Sequence, residues 1–179
     1  MNPEALLWAK IRSGGPFQTA VGSPAPASMR RLVAANGEAV WLLADDFAAG
    51  HDVLAEHGLS RHSSETPNES ARVLACCLRC CWPPSQTSPW PGTSAPVNAV
   101  ASVYAQLKGI DDPKIARKRM TAALRGLVSG CWVLMDDERD SVRLGPFVGA
   151  WSDGQVAHLR RICDNMPTPT STEGSVQNG

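Results

Sequence analysis

The sequence predicts a mainly α-helical protein with a small β-hairpin, and three stretches carry that expectation. From Pro96 to Lys108, Val97, Val100, Ala101, Tyr104 and Leu107 recur at three-and-four spacing, which gives a helix one apolar face. From Pro113 to Val128 a second helix sets Ala116, Met120, Ala123, Leu124, Leu127 and Val128 inward, and no acid occurs between Pro113 and Leu127. Cys131–Met135 and Ser141–Gly145 are apolar or β-branched runs on either side of the polar turn Asp136–Asp140, the pattern of a hairpin.

Taken in order, the chain begins with a short helix capped by Asn2-Pro3 and broken after Arg12 by Ser13-Gly14-Gly15-Pro16. Val21–Ser28 contains Ser-Pro-Ala-Pro and reads as an extended connection. Met29–Ala35 is expected to be a short helix stopped by Asn36-Gly37; the apolar run Ala39–Leu43 is too short to assign by period. Asp45 or Asp46 then caps a helix ending near His57-Gly58. Thr66-Pro67-Asn68-Glu69 combines a capping threonine, proline at the first helical position and a glutamate three residues after the cap. The helix it starts runs to Trp82, where Pro83-Pro84 halts it; its apolar set is Ala71, Leu74, Ala75, Leu78, Cys81 and Trp82, with Val73, Cys77 and Cys80 widening the stripe, so it is expected to be mostly buried. Gly109 stops the helix from Pro96, and Asp112-Pro113 starts the next with an N-cap and a proline. Ser152-Asp153-Gly154-Gln155 is a capping box that opens a last helix to Met166. The tail Thr168–Gly179 has too little apolar surface to order itself.

The division expected is an N-terminal extension or subdomain over 1–64, a central unit over 65–151, a C-terminal helix over 152–166 and a disordered tail over 167–179. With 179 residues, 43% of them apolar, one ordinary core is the default; 14 prolines and 15 glycines point to long irregular connections. Formal net charge is zero, so any attraction to a polyanion has to be local. There is no secretory leader pattern at the N-terminus and no apolar run of the roughly 20 residues needed to cross a bilayer. A cytoplasmic protein with six reduced cysteines is expected.

The order of the central elements resembles the winged helix-turn-helix superfamily. Val100-Ala101 and Leu107, the Gly109-Ile110 turn, the Ala123–Val128 end of the second helix, and the hairpin Trp132–Met135 to Val142–Leu144 carry the resemblance, over about residues 66–151. It implies that the basic helix 113–128 is a recognition helix that enters the major groove, and that the hairpin is the wing. Members of that superfamily also serve as protein-docking modules, so the resemblance bears on fold more than on function.

The residues expected to touch DNA are Lys114, Lys118, Thr121 and Arg125 on one helix face, with Arg117 and Arg119 on its flanks and Arg139 and Arg143 from the wing. Cations there neutralise phosphates and can reach guanine edges. The alternative is a solvated face, and Asp136, Asp137, Glu138 and Asp140 in the wing turn weigh toward it. Trp90, in a proline-rich loop, is a candidate partner anchor. So is the narrow stripe Val156, Leu159, Cys163 and Met166, which suits either the same domain or a second copy in a homodimer. Cys76, Cys77, Cys80 and Cys81 lie within one helix and point in diverging directions, so they read as buried thiols rather than a metal site. His51-Asp52 lacks the preceding histidine that a metal phosphohydrolase needs. No phosphate-binding glycine loop, nucleophile elbow or dinucleotide fingerprint occurs. The expectation is thus a DNA-binding regulator or DNA-associated factor, not an enzyme, without cofactor, metal or membrane. A winged-helix assembly module, such as a subunit of a chromosome-organising complex, is the alternative.

Overall fold

A computed structural model describes residues 11, 15–25, 29–34, 36–44 and 68–170. The helices expected over Asn2–Arg12 and Asp46–His57, the Thr66-Pro67 cap and the His51-Asp52 pair lie outside the described residues, Ile11 excepted. Three helices and a three-stranded sheet form the larger body. Helix α1 spans Asn68–Cys81, α2 Val97–Lys108 and α3 Pro113–Ser129. A two-residue strand, Ala95–Pro96, pairs antiparallel with Ser141–Leu144, which in turn pairs with Val133–Asp136.

The ends of these elements have local causes. Asp112 accepts from the Lys114 backbone N–H at 2.8 Å and Pro113 takes the first helical position, so α3 starts where two orphan donors are already dealt with. Gly109 closes α2 in the left-handed conformation at φ 61°, and the Ile110 N–H returns to the Ala105 carbonyl at 2.9 Å. The N-terminus of α2 has no side-chain cap. There the Val97 N–H is satisfied from a distance by the Asp140 carbonyl, 2.9 Å away in the hairpin turn. At Gly145 the chain leaves the hairpin against the Cys131 carbonyl, and any Cβ would collide with it.

The core runs through all of these. Val73, Cys76, Cys77, Leu78, Cys81 and Trp82 of the α1 region meet Val100, Val103 and Tyr104 of α2, Met120, Leu124 and Leu127 of α3, and Val133, Val142 and Leu144 of the hairpin. Leu107, expected inside, is 43% exposed at the last turn of α2. The long connection from Pro83 to Thr93 folds back on α1: the Thr93 N–H donates to the Cys81 carbonyl at 2.7 Å, and the Trp82 indole donates to the Gln86 carbonyl at 3.0 Å. Gly92, at φ 66°, permits that return, since a Cβ there would lie 2.7 Å from the Cys81 oxygen.

A second small sheet precedes this body. In chain order its strands are β1 (Phe17–Thr19), β2 (Met29–Val33) and β3 (Val40–Ala44), with β3 in the middle; the strands of the larger body are then β4 (Ala95–Pro96), β5 (Val133–Asp136) and β6 (Ser141–Leu144), with β6 in the middle. Where a helix is expected from Met29, Met29–Val33 is a strand. Asn36-Gly37 acts as a hairpin turn rather than a helix stop, with Gly37 at φ 72° and the Ala34 N–H bonded to the Ala39 carbonyl at 2.8 Å. The apolar run after it supplies the pairing partner that a helix would have left unused, burying Val40, Leu42 and Leu43. This sheet meets the larger body at the 3-10 turn Pro146–Ala150: Arg30 donates to the Gly149 carbonyl at 2.7 Å, and Leu32 packs beside Gly149. With two antiparallel sheets and four helices, the described residues form a mixed α and β structure, richer in strand than expected.

The last helix, α4 (Asp153–Asp164), opens with the expected capping box between Ser152 and Gln155. Among the described residues no helix is long and apolar enough to cross a membrane.

Candidate nucleic-acid interface

Helix α3 presents its charged side to solvent because its apolar residues fall on one stripe. Ala116, Met120, Leu124 and Leu127 are buried, and Lys114, Lys118, Arg119 and Arg125 are exposed. Those four cations make no ion pair among the described residues. Ile115 lies among them, 46% exposed.

Arg117 and Thr121 are placed differently from the other expected contacts. Arg117 is half-buried and forms a fork with Asp140, Nη2 to Oδ1 at 2.6 Å and Nη1 to Oδ2 at 2.9 Å; Nη1 also donates to Asn98 Oδ1 at 2.6 Å. The Asp140 carboxylate raises the Arg117 pKa further, so this cation is permanently charged and already paired. Thr121 turns its hydroxyl back to the Arg117 carbonyl at 2.7 Å. Arg117 is thus a clamp between α2, α3 and the hairpin turn rather than a free phosphate contact. Asp140 is the residue that sequence reasoning missed. It supplies its carbonyl to the start of α2 and its carboxylate to α3. The only sequence signal was an acid at the foot of a strand opposite an acid-free helix.

In the turn between β5 and β6 the four acids divide. Asp140 turns toward Arg117 of α3, and Asp136 accepts from the Arg139 N–H at 3.1 Å and pairs loosely with Nη1 of Arg139 at 3.5 Å. Asp137 and Glu138 remain exposed at the tip. Arg139 and Arg143 face a cleft between the wing and the β1–β3–β2 sheet, whereas Lys114 and Arg117 line a groove between α2 and α3. The eight expected contacts are therefore distributed over two surfaces.

The residues expected to meet a partner are largely used within the chain. Trp90 is half-buried and packed against the core. Cys163 is buried, and Val156, Leu159 and Met166 are partly covered by the same core, with α4 lying on α1. Arg160, unremarked in the sequence, fixes that packing. Its guanidinium carbon sits 3.6 Å from the Trp82 ring centroid, and its nitrogens donate to the carbonyls of Trp82, Pro83 and Gln86 at 3.1, 3.1 and 2.8 Å. Cys163 is closed to a second copy, whereas Val156, Leu159 and Met166 keep part of their surface exposed. The tail is also held at its start: the Pro167 carbonyl accepts from Arg79, the Thr168 carbonyl from Gln106, and the Thr170 hydroxyl and amide both meet the Ser102 hydroxyl. The rest of it, 171–179, lies outside the described residues.

The cysteines are free thiols. Burial pushes Cys76 and Cys81 up to about 12 and Cys80 to about 11, with neighbouring thiols adding to the effect, and raises Cys77 as well. No group of histidine, cysteine and acidic side chains among the described residues is arranged to hold a metal. The chain matches no protein-family model, no curated protein and no solved structure.

Proposed function

We propose that this chain is a winged helix-turn-helix protein that binds duplex DNA through α3, as a transcriptional regulator or other DNA-associated factor. The element order α1, β4, α2, α3, β5, β6, with β6 central in its sheet, supports the fold assignment. The observation that carries the function is the exposed set Lys114, Lys118, Arg119 and Arg125, which makes no ion pair among the described residues, on a helix that Arg117 joins to Asp140 of the hairpin turn. Because net charge is zero, such a patch acts over short range, and contacts to phosphate dominate. Arg139 and Arg143 are assigned to the neighbouring cleft instead.

The test is a mobility shift with random duplex at two ionic strengths. Four neutralised phosphates give a slope of log affinity against log salt near −3.6, or roughly a hundredfold loss for a fourfold rise in salt. Lys118→Glu with Arg125→Glu abolishes the shift while the fold persists. A second reading, docking to protein, is favoured by the exposed apolar side chains Ile115 and Met135 and by the bare acids Asp137 and Glu138. A weak, salt-insensitive shift that ignores the double substitution would decide for it.

A further inference from the structure

The outer face of the wing and the β1–β3–β2 sheet enclose a cleft of about 570 Å³ that has no part in the duplex-binding face. Its size lies within the range of small-molecule sites, roughly 300–1,000 Å³. One wall carries Arg143, opposite Leu134 in the strand register, with Arg139 at the rim; the other carries Trp41, beside Gln18 in the neighbouring strand. Alternation along β6 explains the arrangement: Val142 and Leu144 enter the core, so Ser141 and Arg143 are turned the other way.

The charges in this cleft do not cancel. Asp136 is the acid among the lining residues, and it is engaged by the Arg139 side chain and backbone N–H. Arg143 is half-buried and makes no hydrogen bond or ion pair among the described residues. A partly desolvated guanidinium with its donors unassigned is a receptor for an oxyanion, which it engages in a fork. Trp41, half-buried on the facing wall, offers an indole for a planar ring, and the Gln18 amide offers a donor and an acceptor to the edge of that ring.

We propose that this cleft binds a nucleoside phosphate, with the phosphate between Arg143 and Arg139 and the base against Trp41. The site is separate from α3, so it stands whether or not α3 binds duplex. Both the ring and the anion are needed, because neither wall alone surrounds a ligand of this size.

Isothermal titration calorimetry of the full chain tests it, with adenosine, guanosine, cytidine and uridine monophosphates, the nucleosides alone, and inorganic phosphate as titrants. At least one nucleotide binds with a dissociation constant below about 1 mM, and its nucleoside and inorganic phosphate bind about tenfold more weakly or worse. Arg143→Gln weakens that nucleotide by about tenfold and Trp41→Ala by about fivefold, as loss of a charge-assisted fork and of a stacking platform requires. Lys118→Glu with Arg125→Glu leaves it unchanged. No heat with any nucleotide, equal binding of nucleoside and nucleotide, or full affinity in Arg143→Gln overturns the proposal, and so does loss of binding in the α3 double variant. Where circular dichroism shows that Arg143→Gln has unfolded, Arg139→Gln replaces it, since that side chain is 81% exposed and its loss leaves the fold untouched. A threefold or greater weakening is then expected, on the order of a rim charge, and an unchanged affinity overturns the assignment.

Discussion

Helices α3 and α4 both carry arginines and an apolar stripe, yet they spend them in opposite ways. On α4, Arg160 lies over Trp82 and donates to three carbonyls that Pro83-Pro84 leaves beyond the end of α1, so its charge serves the fold. On α3 the apolar stripe is buried more completely, but the opposite face meets neither carbonyls nor carboxylates among the described residues, and four cations remain outside. The difference is one of available acceptors. A cation becomes structural when an unsatisfied acceptor lies within its reach, as Arg117 also shows with Asp140 and Asn98. Where none does, its charge stays available to a ligand.

The harshest way to break this comparison is to remove the surface on which α4 rests. Trp82→Ala should cost about 3–5 kcal/mol, read from the denaturant midpoint, through lost burial and the cavity left behind; a loss under about 1 kcal/mol would mean that α4 is not held there. Next comes the α3 double substitution, Lys118→Glu with Arg125→Glu. It should lower duplex affinity about a hundredfold and change stability by no more than about 0.5 kcal/mol, because neither side chain has a partner among the described residues. Arg160→Ala, by contrast, should destabilise by about 2 kcal/mol through the cation–π contact and the bonds to carbonyl oxygens, with no effect on duplex binding. An outcome reversed between the two helices would sink the distinction.

The smallest effect concerns pH. The Glu69 carboxyl is held below the ordinary glutamate range, chiefly by the Tyr104 hydroxyl and then by Arg72 and Lys108, against a desolvation that works the other way. Burial and the same bond push Tyr104 up to about 12. A depressed carboxyl stabilises the fold above its unfolded pKa, and that contribution is lost as pH falls through the folded value. Glu69→Gln should therefore lower stability slightly at neutral pH, where the ionised carboxyl contributes, and flatten the acid limb, so that variant and parent converge as pH falls below roughly 4.3.

What the sequence revealed follows from how far each signal reaches. The start and stop of α3, the Gly109 end of α2 and the Ser152 capping box rest on residues within one helical turn, and all are observed as expected. Strand β4 has two residues and no period to detect. Asn36-Gly37 suits a helix end or a hairpin equally, and the apolar residues after it, not those before it, decide in favour of the hairpin. The exposure of Lys118 and Arg125 was legible from helical period alone. The pairing of Arg117 was not, since its partner Asp140 lies 23 residues further on. Periodicity also identified the stripe on α4 without saying what covers it, and that question needed the packing of α1. The cleft between the sheets was invisible for the same reason, because its walls come from strands about a hundred residues apart.

The hold of Ser102 and Gln106 on the segment ending at Thr170 has a practical side. Thr170 borders the groove that Lys114 and Arg117 also line. A dye, affinity handle or fused domain attached through the chain that follows is delivered to that spot at an effective concentration on the order of millimolar. An acidic fusion there acts as a tethered decoy for the basic helix, and an environment-sensitive dye there reports on whatever approaches it.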